Sequence, residues 1–115
     1  MKTHLKMTAA VCLSLGMASV VQADQGISTA DLLTYCQGKD GEFVTCEIYG
    51  QAVFDTYLAM SANQPATQTI CVKQPAPSRK DVIQAYVDWA KADLAVAEQP
   101  AAQTILRFLG QRFPC

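Results

Sequence analysis

Apolar residues in this chain recur at three- and four-residue steps in separate blocks, with short breaks between them. The first block opens at Ile27-Ser28-Thr29-Ala30-Asp31-Leu32, where Ser28 can cap a helix, Asp31 sits at its third position, and Ile27 can pack on Leu32. This helix is expected to run to about Gln37 and stop at Gly38, with Lys39-Asp40-Gly41 as a turn. From Glu42 to about Ala62, Phe43, Cys46, Tyr49, Val53, Phe54, Tyr57 and Leu58 describe one buried stripe of a longer, antiparallel helix. Residues 61–77 lose that period. Their prolines, threonines and glutamines surround a short apolar piece, Ile70-Cys71-Val72, so an ordered loop pinned at Cys71 is expected.

Ser78-Arg79-Lys80-Asp81 repeats the serine-x-x-acid start. Val82, Ile83, Tyr86, Val87, Ala90 and Leu94 then carry a third helix to about Asp93. Glu98-Gln99-Pro100 is a second break, because proline suits the first turn of a new helix. Ala101, Ile105, Leu106, Phe108 and Leu109 form the last helix, ending near Phe113-Pro114-Cys115. No segment alternates long enough to demand a sheet, so the expected fold is all-α: a compact bundle of about four helices.

The N-terminus has a different pattern. Lys2, His4 and Lys6 precede an apolar run from Met7 to Val21, followed by Val21-Gln22-Ala23 with small residues at a cleavage site. A run of about fifteen residues falls short of the roughly 18–20 needed to span a bilayer. Residues 1–23 are therefore expected to be a signal peptide cleaved after Ala23, with no stable membrane insertion afterwards and residues 24–115 as one domain. Cys12 leaves with the signal.

Removing Lys2 and Lys6 leaves seven basic residues against ten acidic ones, a net charge of −3. That balance argues against nucleic acid or anionic lipid as a partner. The only histidine, His4, is in the signal, so the mature chain has no Cys/His or Ser/His nucleophile pair and no imidazole for a metal. The expectation is a protein that is not an enzyme and needs no cofactor.

Cys36, Cys46, Cys71 and Cys115 remain, an even set in an exported chain. They lack the paired C-x-x-C knuckles of a zinc site, and an oxidising compartment favours disulfides. Four cysteines allow three connectivities. Geometry favours Cys36 with Cys46, across the tight turn between the first two helices, which leaves Cys71 with Cys115.

Leu32-Leu33-Thr34-Tyr35-Cys36, Cys46-Glu47-Ile48-Tyr49, Asp55, Cys71 with the proline-containing loop after it, and Phe113-Pro114-Cys115 occur here as an ordered set. In these features the chain resembles the Tai/Rap immunity proteins of type VI secretion, which act in the periplasm against peptidoglycan amidase effectors. The resemblance implies a binding module, often a homodimer, that occludes the cleft of a cognate amidase whose own cysteine does the chemistry. It departs at Ala52, where the family often has glycine and this chain has Gly50 instead, and at Leu94, which stands roughly where such proteins commonly have a proline that ends the third helix. The connection from Asp93 to Gln99 is among the segments such proteins present to effectors. Candidate partner contacts are Asp88, Trp89, Asp93, Glu98 and Gln99; the competing role is the core edge for Trp89 and solvated charge for the three acids. The alternative function is a periplasmic helical chaperone or envelope adaptor.

Overall fold

The computed structural model describes residues 26–115; the proposed signal segment lies outside the described residues. Five α-helices follow in order: α1 Thr29–Cys36, α2 Gly41–Ser61, α3 Arg79–Lys91, α4 Leu94–Ala97 and α5 Ala101–Arg112, with a 3-10 turn at Pro65–Thr67. The all-α expectation holds, and α4 is a short fifth helix between the expected end of the third helix near Asp93 and the break at Glu98-Gln99-Pro100.

Both serine caps form. The Asp31 N–H donates to Ser28 Oγ at 3.1 Å, and the Asp81 N–H donates to Ser78 Oγ at the same distance. Each satisfies a backbone donor that a helix start leaves without a partner. Gly38 allows α1 and α2 to meet closely, since a Cβ there would lie 2.6 Å from the Cβ of Glu42. The Cys36–Cys46 disulfide closes this turn with a Cα separation of 5.0 Å, and both cysteines are buried.

Helix α2 differs from the expected single buried stripe. Only Cys46 and Ser61 are buried on it; Phe43, Tyr49, Val53, Phe54 and Tyr57 are half-buried, and Leu58 is exposed. Tyr49, Val53, Phe54 and Tyr57 pack against the core on one edge and line open concavities beside the helix on the other, so none is fully covered. Gly50 likewise serves no close helix packing, since a Cβ there would meet nothing within 4 Å.

The core is built from Leu32 and Leu33 of α1, Tyr86, Val87 and Ala90 of α3, Val96 of α4, and a stripe of α5 at Ala101, Thr104, Ile105, Phe108 and Leu109. That last spacing puts one helix face inward for its whole length. The loop from 62 to 78 is fastened in two places. The Tyr57 hydroxyl accepts the Thr69 and Ile70 N–H groups at 2.9 and 3.0 Å, and the Cys71 N–H donates to the Phe113 carbonyl at 2.8 Å beside the Cys71–Cys115 disulfide. Both expected disulfides are thus present.

A polar thread runs through the apolar core. Thr29 and Thr104 are both 0 % exposed and their hydroxyls lie 2.8 Å apart. Thr104 Oγ1 is also 2.8 Å from the Tyr86 hydroxyl, and Thr29 Oγ1 donates to the Gln99 carbonyl at 2.8 Å. Three hydroxyls carry three protons, and one ordering uses them all: Tyr86 donates to Thr104, Thr104 to Thr29, and Thr29 to Gln99 O. The Ala101 carbonyl, 3.0 Å from Thr104 Oγ1, offers Thr104 a second acceptor. The thread joins α1, α3 and α5 to the segment just before Pro100. Alongside it, the Thr29 N–H donates to Gln99 O and the Ala101 N–H to Ile27 O, a single antiparallel bridge between chain segments far apart in sequence.

Burial raises the Tyr86 phenol above its ordinary 10.0, against the pull of the Thr104 and Thr29 hydroxyls, and a nearby Tyr49 adds to the rise. The folded pKa therefore exceeds the unfolded one, so the stability from neutral Tyr86 is complete below about pH 10 and is lost as pH climbs through the folded value. Urea midpoints measured across that range should fall more steeply for the native chain than for Tyr86→Phe. Replacing Cys115 by serine opens a loop of 44-residue separation. That should cost about 4 kcal/mol by loop-closure entropy, with faster amide exchange in residues 62–78 and little change between α1 and α2.

Candidate functional site

Where α3 is expected to continue to Asp93, it stops at Lys91. Asp93 takes an extended backbone and its carboxylate accepts the Ala95 N–H at 2.9 Å, capping a new helix. Aspartate competes with the helix by bonding to backbone two residues on, which makes it a good cap and a poor interior residue. The result is an elbow from Asp93 to Pro100 with α4 at its centre.

One turn of helix here has two opposed apolar residues. Val96 is buried in the core, and Leu94 is 89 % exposed. This corrects the placement of Leu94 on the buried stripe of α3: once the chain caps and restarts at Asp93, position 94 turns outward. The signal was the Asp93 cap itself, immediately before Leu94.

The candidate residues separate into two groups. Asp93, Glu98 and Gln99 share the elbow, with Glu98 exposed at the C-terminal end of α4. Gln99 is half-buried: its Nε2 donates to the Ala95 carbonyl at 3.1 Å, and its Oε1 accepts from Arg107 Nη2 at 2.6 Å. Asp88 and Trp89 sit earlier, on α3. Asp88 is exposed and accepts from Gln84 Nε2 at 3.2 Å, one turn back on its own helix. Trp89 is half-buried, with its ring centroid 6.1 Å from Tyr86 and 5.7 Å from Phe108, and its Nε1 donates to Gln111 Oε1 at 3.1 Å. It closes the core edge between α3 and α5.

Two concavities flank α2. A cleft of about 380 Å³ lies toward α3 and α5, walled by Phe54, Val72, Val82 and Phe108, with Glu47 and Arg79 at its polar edge. The loop carrying Val72 is held there by the Cys71–Cys115 disulfide. A shallower groove of about 620 Å³ involves Tyr49, Val53, Tyr57, Met60 and Leu106. Tyr57 is partly buried, which raises its phenol, but the N–H groups of Ile70 and Thr69 outweigh that effect and its pKa lies below 10.0. Among the described residues no cluster of three His, Cys, Asp or Glu side chains could hold a metal ion, and no helix is long and apolar enough to cross a membrane.

The elbow presents an exposed leucine, Leu94, between the acidic residues Asp93 and Glu98. All four cysteines of the described chain are consumed in disulfides. The family model of Rap1a immunity proteins matches residues 28–115, the whole segment from the Ser28 cap to the terminal cysteine. No curated protein and no solved structure matches the chain. With the match spanning every helix, both disulfides and the elbow, the chain belongs to the Rap1a immunity protein family.

Proposed function

We propose that this protein is exported to the periplasm, loses residues 1–23, and there binds a peptidoglycan amidase delivered by type VI secretion, occluding its cleft. Family membership gives the immunity role and the binding of a cognate effector. The choice of amidase rests on the sequence set from Leu32 to Cys115 described above, and the periplasm on the signal-like N-terminus with two disulfides.

The observation that carries the mechanism is Leu94. A large apolar side chain left 89 % exposed loses the roughly 1.5–3 kcal/mol that burial would return. On the elbow it is flanked by Asp93 and Glu98, so the protruding surface is an apolar knob with an acidic rim. Such a knob fits a cleft that is apolar at its floor and basic at its mouth. Occlusion asks only for tight docking there, and no residue of this chain need react. The uncovered side of α2, with Val44, Ile48 and Leu58 exposed, is available for a homodimer contact.

Co-expression decides the role. Each type VI amidase effector encoded in the same genome is directed to the periplasm with and without the chain; protection by the chain against one of them is the expected result, and lysis with every one of them in both cases rejects the reading as an amidase immunity protein. Leu94→Asp should weaken binding by about 2 kcal/mol or more, the scale of a central apolar contact, while leaving the circular dichroism and melting of the free protein close to native.

A further inference from the structure

Gln99 stands among the candidate partner contacts, yet its polar atoms are already engaged within the chain. Its carbonyl accepts the Thr29 N–H at 2.9 Å and the Thr29 hydroxyl at 2.8 Å. The backbone N–H donates to the Val96 carbonyl at 3.1 Å, closing α4. The side-chain amide spans the elbow, donating to Ala95 O at one end and accepting from Arg107 Nη2 at the other. Arg107 belongs to α5 and Thr29 to α1, so Gln99 is gripped from two helices at once. Through Thr29 the grip continues to Thr104 and Tyr86 in the core.

A four-residue helix cannot hold itself in water, because helix nucleation is unfavourable and the short segment adds few bonds after it. The conformation of α4 must therefore be imposed from outside. Val96 supplies an apolar anchor, and Gln99 supplies the directional one, setting how the turn that carries Leu94 is presented.

We infer that Gln99 is a positioning residue: held by Arg107 and Thr29, it fixes the elbow in its docking shape, so that affinity for the effector depends on Thr29, a side chain the effector never touches. The inference rests on the elbow being the docking element. Buried Thr29 is the informative site, because its 0 % exposure excludes direct contact with the partner, and elbow exchange reads whether its effect travels by way of Gln99.

The test uses Thr29→Val, which keeps shape and loses the hydroxyl, Thr29→Ser, which keeps the hydroxyl, and Arg107→Met on the exposed face of α5. Leu94→Asp serves as the direct-contact variant. Two quantities are read: hydrogen exchange of the Val96 and Gln99 amides in the free protein, and affinity for a catalytically inactive form of the amidase against which the chain protects. Thr29→Val and Arg107→Met should each speed elbow exchange roughly three- to tenfold and weaken affinity by a similar factor, with α2 exchange unchanged, since one lost hydrogen bond shifts the competent population by that much. Thr29→Ser should restore both. Unchanged elbow exchange in both variants overturns the positioning role, as does faster exchange with native affinity. If Thr29→Val does not fold, the surface variant Arg107→Met decides the same question. Native affinity in Leu94→Asp overturns something different, the reading of the elbow as the docking element.

Discussion

The hydroxyl chain from Tyr86 through Thr104 and Thr29 to the carbonyl of Gln99 is the contact on which the rest of the structure depends. Each of its oxygens lies in an apolar core where an unpaired hydroxyl would cost about 1–3 kcal/mol. None is left so: no buried side-chain nitrogen or oxygen among the described residues lacks a partner. Apolar packing alone would let short helices slide or rotate against one another at small cost. A proton order running through three helices tolerates far less, because any shift that breaks one bond strands the next donor or acceptor. The thread ends at a backbone carbonyl on the elbow, so the most constrained part of the core is connected to the most exposed part of the surface.

A domain of this size gains little from its core once chain entropy is subtracted, and small folds commonly make up the difference with covalent closures. The two disulfides act in different places. Cys36–Cys46 is buried at a helix turn and sets how α1 and α2 diverge; Cys71–Cys115 is nearer the surface and holds an irregular loop against the end of α5. Neither closes the elbow. That segment relies on hydrogen bonds and on Val96, leaving its outer face free of structural duty, so the elbow can change its surface residues without disturbing the scaffold.

Much of this was legible in the sequence where one local rule decides one local outcome. Ser28 and Ser78 announced helix starts because a serine oxygen three residues before an amide can only serve it in that geometry. The pairing of Cys36 with Cys46 followed from two helix ends meeting at a short turn. What failed were inferences from periodicity continued too far. Counting Leu94 onto the α3 stripe assumed an unbroken helix, whereas Asp93 caps a new turn and reverses the direction of the residue after it. The α2 stripe faces the core from Tyr49 to Tyr57 but stays half-buried, because the same side chains line open concavities whose presence depends on how distant segments pack. The position of Gln99 in a connection suggests a partner contact, and the sequence carries no sign that Arg107 and Thr29 converge on it. Those partners are 8 and 70 residues away, beyond the reach of any local rule.

An inhibitor that works by occupation faces a requirement that an enzyme does not: the inserted element must already have its bound shape, or the entropy of ordering it is subtracted from affinity. A long irregular loop would present more surface but lose more freedom on docking. A single capped turn limits that loss, with Asp93 fixing its start, Gln99 its end and Val96 its depth. Under the proposed docking, Leu94 would carry recognition while nothing in the core leans on it, so a change there would leave the hydroxyl chain, the disulfides and the helix caps as they are.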